Sequence, residues 1–484
     1  MKQNARWLSL VFMLVAGTLA TIIAMDFFGP EGWSAGSFDP QAQNSQSVTE
    51  TGNQQEPDST RPVEDDRYDV DHYWPQWRGP QGTGVAPHAD PLIEWSDTRN
   101  IRWKIALPGQ GHSTPIIWGD RIFLTTTIPF GDAVAPKPET APGAHDNAPV
   151  THHQKFVVLA VSRADGTILW QRTMREELPH ERRHNSAGFA SASPVTDGEH
   201  LFAYFGSRGL YCLDLNGERQ WETDLGDMQS KHEHGEGASP ALYGETLVVN
   251  WDHEGQSFVV AFDKRTGEER WNVQRDEITS WATPIVVVHE GRPQVVISGS
   301  QRLRGYDLAT GEVIWECGGL SRNVVASPVA SDGMVYAGSS YEKKAMLAIR
   351  LEGAKGDISR TDNLVWMRRR GTPYVPSPLL YGEALYFLHH YQGIMSRVIA
   401  KTGEEPFGPF RLNGIGNVYA SPVGAADRVY ITDLDGTTLV MRHGVQPEVL
   451  ALNQLDDSFS ASAAIVDGEL YLRGRRFLYC IAQE

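Results

Sequence analysis

The stretch VASPVASDGMVYAGS, Val325 to Ser339, carries the pattern that decides the fold. It begins with small residues and a proline, passes through an Asp-Gly turn, and continues into a second run rich in valine and tyrosine. Short apolar runs on both sides of a glycine turn are typical of a β-hairpin. A proline is tolerated at the first residue of a strand. The stretch therefore predicts two antiparallel strands.

The same pattern returns along the chain. Seven copies contain the proline, and the eighth has Ala464 in its place. Most neighbouring copies are 42 to 50 residues apart, and only the first two are further apart, at 79 residues. Strand-forming repeats of about 40–50 residues are typical of β-propeller blades rather than of helical solenoids. The proline positions are Pro115, Pro194, Pro240, Pro284, Pro328, Pro378 and Pro422.

A second motif closes most repeats: a glycine turn followed four residues later by a large aromatic residue, as in TGEVIW with Gly311 and Trp315. The glycine supplies the positive φ of a tight turn, and the indole can pack between neighbouring sheets. The fifth repeat has the tryptophan without the glycine. Each repeat therefore reads as four strands. The predicted structural tryptophans are Trp103, Trp170, Trp221, Trp271, Trp315 and Trp366.

The two ends of the repeat region complement each other. The last repeat stops at Glu484 after three strands, whereas residues 100–107 form a spare strand with its own tryptophan. Pairing the two would close the ring and leave no open sheet edge. We therefore expect an all-β fold, a single propeller over residues 73–484 with eight blades, or seven as the alternative. Residues 128–155 are predicted to be a loop inserted in the first blade.

The first 72 residues have a different composition. Lys2 and Arg6 precede 19 uncharged residues, Trp7 to Met25, so residues 1–25 predict a transmembrane signal anchor, with a cleaved signal as the alternative. The positive-inside rule then places the body in the periplasm or its equivalent. Residues 26–72 are polar and acidic and predict a disordered tether. With a net charge of −17, a nucleic-acid partner is not expected.

The repeat and its flanks resemble a known family. The turns GEVIW, GERQW and GEERW resemble the PQQ-like, or quinoprotein-type, β-propeller repeat over about residues 100–484. The motif WPQWRGP after an apolar segment and a tether is similar to membrane-anchored PQQ-like propeller proteins of planctomycete-type bacteria. Those are related by analogy to the propeller lipoprotein of the outer-membrane β-barrel assembly machine. The resemblance implies the fold but not the activity, since one ring serves both enzymes and scaffolds.

An enzyme of this family would be a dehydrogenase dependent on PQQ and Ca²⁺. Such enzymes commonly cover the quinone with a disulfide between adjacent cysteines, but the cysteines here, Cys212, Cys317 and Cys480, are far apart in sequence. No aspartate matches the catalytic position of the family. We therefore expect no enzymatic activity and no cofactor, and keep the PQQ- and Ca²⁺-dependent dehydrogenase as the alternative.

The loops that lead into the first strand of each blade carry the candidate binding residues. The segment SKHEHGEG before the third blade is the most polar of them, and a hydrogen-bonded cluster is favoured there over a metal site. Aromatic and amide side chains in the other loops suggest a pocket for a peptide or a sugar. The serines before the prolines are expected to satisfy crowded backbone. The candidates are His112, His184, Asn185, His232, Glu233, His234, Glu236, Trp281, Asn323, Tyr374 and Tyr419.

The motif YWPQWRGP lies where the tether becomes the fold, within residues 73–99. We expect Trp74, Trp77 and Arg78 to form a clasp that packs the entering chain onto the propeller. Histidines of the inserted loop, His145, His152 and His153, are expected to be solvated. The sequence as a whole predicts a membrane-anchored, non-catalytic binding or scaffold propeller in cell-envelope assembly, with an envelope protein or peptide, or a sugar, as its ligand.

Overall fold

A computed structural model of the chain describes residues 69–483. The predicted anchor, residues 1–25, and all but the end of the predicted tether lie outside this range. Within it the fold is all-β, and its helical segments are the three short 3-10 turns Val70–His72, Gly206–Arg208 and Lys231–Glu233. None of the helices in residues 69–483 is long and apolar enough to cross a membrane.

The strands form eight sheets, one per blade, each with four antiparallel strands; strand β1 (Ile101–Ala106) belongs to the last of them, and blade 4 has a fifth, parallel strand. Blade 1 contains β2 (Ile116–Trp118), β3 (Arg121–Phe130), β5 (His153–Ser162) and β6 (Ile168–Glu177), and blade 2 contains β8 (Val195–Thr196), β9 (His200–Tyr204), β10 (Leu210–Asp214) and β11 (Arg219–Thr223). Blade 3 contains β12 (Ala241–Tyr243), β13 (Thr246–Trp251), β14 (Ser257–Asp263) and β15 (Glu269–Arg275), and blade 4 contains β16 (Ile285–His289), β17 (Arg292–Ser298), β18 (Arg302–Asp307) and β19 (Val313–Gly318).

The remaining strands complete the second half of the ring. Blade 5 contains β20 (Val329–Ser331), β21 (Met334–Ser339), β22 (Ala345–Arg350) and β24 (Leu364–Arg368), and blade 6 contains β25 (Leu379–Tyr381), β26 (Ala384–Leu388), β27 (Ile394–Ile399) and β28 (Phe407–Arg411). Blade 7 contains β29 (Val423–Ala425), β30 (Arg428–Thr432), β31 (Thr437–Arg442) and β32 (Val449–Gln454), and blade 8 contains β33 (Ala464–Val466), β34 (Glu469–Arg473), β35 (Phe477–Ile481) and β1. Eight blades are confirmed, and the seven-bladed alternative is wrong.

The first and last strands share a sheet. Strand β1 pairs antiparallel with β35, placing Trp103 opposite Cys480, in the order β1-β35-β34-β33. The first strands of successive blades contact one another, from β33 through β2 and β8 on to β29. The first strands therefore surround the axis, and the fourth strands form the rim.

Tryptophans join neighbouring blades. The indole N–H of Trp170 in blade 1 donates to the carbonyl of Leu215 in blade 2 at 3.1 Å, and its ring packs on Gly217 of the same turn. A Cβ added to Gly217 would lie 2.9 Å from the ring, so the turn requires glycine. The glycine and tryptophan that meet thus belong to different repeats. The same contact is made by Trp103, Trp221, Trp271 and Trp366.

Trp315 departs from this arrangement because the fifth repeat has no turn glycine. Its indole donates instead to the side-chain oxygen of Gln294 in its own blade, at 2.9 Å, although the ring remains fully buried. Where other repeats have the glycine turn, blade 5 has a longer segment between β22 and β24. Its short strand β23 (Gly356–Asp357) adds to the edge of blade 4.

The insertion in blade 1 is shorter than predicted. Strands β3 and β5 have ten residues each, so the ends of the predicted loop 128–155 belong to the sheet. The intervening segment forms strand β4 (Asn147–Ala148), which pairs with β7 (Arg183–His184). This small sheet fixes the inserted loop above the entrance to blade 2.

Candidate functional site

A hydroxyl belt surrounds the axis of the ring. It consists of the residue before the proline in each of the first seven repeats and of Ser462 in the eighth, where Ala463, and not the predicted Ala464, takes the place of the proline because the first strand begins at Ala464. The backbone N–H of one member donates to the hydroxyl of the next at 2.9–3.0 Å through seven successive bonds. The expectation that these serines satisfy crowded backbone is confirmed. The hydroxyl belt is Thr114, Ser193, Ser239, Thr283, Ser327, Ser377, Ser421 and Ser462.

The hydroxyl belt has one open link, between the last blade and the first. The buried hydroxyl of Thr114 has no hydrogen-bond partner among the described residues, whereas its backbone N–H donates to Ser193. The open link thus lies beside blade 8, the sheet that combines β1 with the last three strands of the chain.

An axial cavity of about 490 Å³ lies on the loop side of the hydroxyl belt. Six belt residues line it, together with the loops that lead into the first strands. Nine of the eleven candidates predicted from the sequence face this cavity: His112, His184, His232, His234, Glu236, Trp281, Asn323, Tyr374 and Tyr419.

Asn185 and Glu233 do not line the cavity. The backbone N–H of Asn185 donates to the carbonyl of Asp146. A carboxylate oxygen of Glu233 accepts hydrogen bonds from the backbone N–H groups of Thr140 and Ala141 at 2.8 and 3.0 Å. Burial raises the pKa of Glu233, but these amides outweigh it and the pKa lies below its ordinary value. Glu233 therefore anchors the inserted loop rather than facing a ligand.

The clasp closes the other side of the cavity. Trp77 lines the axial cavity and also a groove formed by strand-initiating prolines on the opposite side of the belt. Arg78 is buried and donates to the carbonyls of Pro422 and Pro378 at 2.7 and 2.9 Å. Burial lowers the pKa of Arg78 to about 9. The motif thus lies between the axial cavity and this groove and plugs the axis on the proline side.

Trp74 fastens the clasp to the first blade. It is fully buried, and its backbone exchanges two hydrogen bonds with Ile117, at 3.1 and 2.9 Å. A Cβ on Gly79 would come within 3.0 Å of the Trp74 ring, so a glycine is needed where the chain turns over the indole.

One wall of the cavity is a row of aromatic rings. Tyr374 stacks on His390 with ring centres 4.5 Å apart, and His390 lies 4.3 Å from Tyr391. Tyr341 and Tyr419 extend the row at its two ends, at 5.5 and 5.7 Å. The amide of Asn323 donates to the Tyr374 hydroxyl at 3.1 Å. Stacked rings of this kind present flat, partly polar surfaces that suit peptide or sugar ligands.

The opposite wall carries an imidazole cluster, defined as His145, His184, His232 and His234. Neighbouring ring centres are 4.8–5.3 Å apart. His145 is exposed, as expected for the inserted loop, but its ring contacts two members of the cluster. Burial, with the neighbouring imidazoles, lowers the pKa of His234 to about 4. His234 is therefore neutral at physiological pH.

Cationic side chains are absent from the wall of the cavity within the described residues, and its carboxylates are Asp146 and Glu236. Both oxygens of Glu236 accept hydrogen bonds from Ser207, at 2.5 and 2.6 Å. Burial raises the pKa of Glu236. Burial, together with the charges of nearby arginines, lowers the pKa of His112 to about 3. The cavity is thus weakly charged.

The described wall is a poor match for PQQ and Ca²⁺, because it has no Lys or Arg side chain and only two carboxylates. The quinone is a polycarboxylate and needs cationic or N–H donors, and Ca²⁺ takes six to eight oxygen ligands. Each oxygen of Glu236 already accepts a hydrogen bond from Ser207, and Asp146 is the other carboxylate of the described wall. The three cysteines are buried and unpaired.

The ring and its one-sided axial cavity define a protein of the eight-bladed β-propeller class. The chain belongs to the PQQ_2 family, whose model is described as outer membrane protein assembly factor BamB and matches residues 154–441. A search of curated protein sequences finds no match.

Solved structures show the same fold at low identity. BamB from Moraxella catarrhalis is 14% identical, with a TM-score of 0.52, covering 78% of this chain and 98% of that one. The computationally designed protein Ika8 is 11% identical, with a TM-score of 0.50 and the same coverage. The quinohemoprotein alcohol dehydrogenase ADHIIG from Pseudomonas putida HK5 is 12% identical, with a TM-score of 0.50, covering 86% and 80%.

Proposed function

We propose that this protein is a non-catalytic, extracytoplasmic binding propeller in cell-envelope assembly, with the axial cavity as its ligand site. The observation that carries the proposal is the cavity itself: it is plugged by Trp77 on one side, open on the other and walled by a row of aromatic rings. The family, described by the name of an outer membrane protein assembly factor, supports the same role.

The ligand class follows from the wall. The aromatic row offers stacking surfaces about one or two rings wide, and the neighbouring hydroxyls and amides offer hydrogen bonds. An extended peptide segment of an envelope protein uses both, since its backbone needs polar partners and its side chains need apolar contact. A sugar is the second ligand class that such rings accommodate.

Crosslinking from the cavity tests the proposal. A photoreactive amino acid replaces Tyr391 in the full chain, and a matched control replaces Tyr243, a 43% exposed tyrosine of blade 3 that does not line the cavity. We expect envelope-protein adducts from the Tyr391 position only, and fewer of them when Tyr374 is also changed to alanine. Equal adducts from both positions, or none from either, would contradict the proposal.

A separate experiment tests the proposal that the protein is not an enzyme. The full chain is supplied with PQQ and Ca²⁺, and dye reduction is followed with alcohols and sugars. We expect no turnover above the protein-free control, because the described wall has no Lys or Arg side chain to pair with the carboxylates of the quinone. Robust turnover would make the protein a quinoprotein dehydrogenase.

The anchor and the closed ring belong to the same proposal. Residues 1–25 would hold the body at the membrane, and the pairing of β1 with β35 would close the ring. Protease protection of the body in intact cells tests the first point, and the deletions described in the Discussion test the second.

A further inference from the structure

Three side chains that can ligate a metal meet beside the clasp, away from the axial cavity. The ligand atoms of Asp69, His72 and His88 all lie within 4.8 Å of one another; His72 is half-buried and the other two are exposed. In a tetrahedral site with metal–ligand bonds of about 2.0–2.2 Å, neighbouring ligand atoms are about 3.3–3.6 Å apart. The three side chains thus come close to the spacing that one ion requires.

A single 3-10 turn brings Asp69 and His72 together. Asp69 precedes the turn Val70–His72, and the backbone N–H of His72 donates to the carbonyl of Asp69 at 3.1 Å. Because residues three apart eclipse one another in a 3-10 turn, the two side chains leave it on the same side. The sequence DVDH thus supplies two ligands from one short turn.

His88 comes from a separate segment, and the backbone on both sides of it is bonded to the propeller. Two residues before it, the N–H of Ala86 donates to the carbonyl of Gly424 in blade 7 at 2.9 Å. Two residues after it, the N–H of Asp90 donates to the carbonyl of Asp467 in blade 8 at 2.7 Å. The fold therefore fixes the place from which His88 reaches the turn.

The ring nitrogens of both histidines are available to an ion. The two rings stack with their centres 4.4 Å apart and their planes inclined by 13°, and within residues 69–483 neither ring makes a hydrogen bond. Asp69 accepts one hydrogen bond, from the N–H of Asp71 to Oδ1 at 3.1 Å. An ion that lies in the planes of both rings requires the stack to open. Since His88 is exposed, its ring can turn at the cost of the stacking contact alone.

We propose that Asp69, His72 and His88 bind one divalent transition-metal ion, with zinc as the probe, and that water takes the fourth position. Two imidazoles and one carboxylate form a ligand set that zinc uses in proteins. The ion would join the turn before Trp74 to the segment that is bonded to blades 7 and 8, and so would strengthen the attachment of the clasp. The proposal does not depend on the binding role of the axial cavity.

Zinc binding by the full chain tests the site. After dialysis against a chelator, the protein is titrated with Zn²⁺ alone by calorimetry. We expect one zinc ion per chain at this site, and an affinity about 100-fold lower or worse in a His72→Ala/His88→Ala variant, because two of the three ligands are gone. The matched control, His152→Ala/His153→Ala, removes two half-buried histidines of the first blade and should bind zinc like the parent.

A milder variant and a second readout keep the test decisive if the double variant fails to fold. Asp69→Asn keeps the shape of the side chain but removes its charge, and should weaken zinc binding about tenfold or more. Zinc should also raise the melting temperature of the parent and of the control, because its three ligands come together only in the folded chain. An unchanged zinc affinity in Asp69→Asn or in the double variant, or no zinc-dependent rise in the melting temperature of the parent, would overturn the proposal.

Discussion

Replacing Trp74 with alanine should destabilise the whole propeller, although the residue precedes the first blade. The side chain is fully buried and belongs to the core cluster shared by blades 7, 8, 1 and 2. An indole buries about 150–250 Å², which at about 25 cal/mol per Å² corresponds to roughly 4–6 kcal/mol. Large-to-small core substitutions of aromatic residues cost about 3–5 kcal/mol. Since alanine keeps both backbone bonds to Ile117, we expect a loss of about 4 kcal/mol.

Denaturant unfolding of the full chain measures this loss. Circular dichroism of the sheet signal should show the midpoint moving to lower denaturant with an unchanged slope, because the same surface is exposed on unfolding. Phe407→Ala is the matched control, since this ring at the propeller rim is 41% exposed. Its expected cost is below about 1 kcal/mol.

Two results would refute the reasoning. A loss below about 1 kcal/mol would mean that the indole contributes little beyond its backbone pairing. A separate early transition for Trp74→Ala, with the main transition unmoved, would mean that residues 73–99 dock onto a propeller that is complete without them. Either result would mean that the segment containing Trp74 is not an integral part of the propeller core.

Three further predictions concern the ring and a buried carboxyl group. Deleting residues 100–107 should abolish cooperative melting, whereas deleting residues 26–65 should leave the melting temperature unchanged; equal behaviour would refute closure through β1. Ser327→Ala leaves the backbone N–H of Thr283 without its acceptor and should cost about 1–3 kcal/mol in denaturant unfolding, while Ser327→Thr keeps the hydroxyl and should cost less. Burial raises the pKa of Glu181 from 4.5 to about 7, against the lowering effect of Ser230 and with the charge of Glu236 adding to the rise. The folded state thus disfavours the ionised form, so stability should fall between pH 4.5 and 7 by up to about 3 kcal/mol. The Glu181→Gln variant should match the parent near pH 4.5 but melt at a higher temperature at pH 8. Parallel pH curves for the two proteins would contradict this prediction.

The repeat pattern predicted the blades because strand and turn chemistry is local. It did not predict which blade each tryptophan contacts. The glycine and tryptophan of one motif are four residues apart, yet Trp170 packs on Gly217 of the next repeat. The contact follows only once the sheets are placed side by side. The absence of a glycine in the fifth repeat did, however, mark the place where Trp315 loses its partner.

The part of the site that was predicted from the sequence lies on the loops that lead into the first strands. Loops leading into the first strands recur at a fixed place in each repeat, so their side chains were expected to converge at the axis. His390 and Tyr391 were missed because they lie in the turn between the second and third strands of blade 6. A visible signal was the aromatic pair in HHYQG, since such turns are usually small and polar.

Glu233 was counted among the candidates because the whole loop SKHEHGEG was expected to face the central channel. Strand alternation alone would have set it apart, since alternate residues of an extended segment face the same side, which groups His232 with His234 and Glu236. Two consecutive residues with positive φ, His232 and Glu233, form a turn at this point. The turn sends Glu233 toward the inserted loop and leaves His232 and His234 together.

The clasp and the hydroxyl belt make the two faces of the propeller different. Residues 70–77 lie on the side of the strand-initiating prolines, where Trp74 pairs with Ile117 and Trp77 closes the axis. The mouth of the axial cavity, with the aromatic row and the imidazole cluster, lies on the other side. A ligand that enters the cavity thus approaches the propeller from the face opposite to residues 70–77.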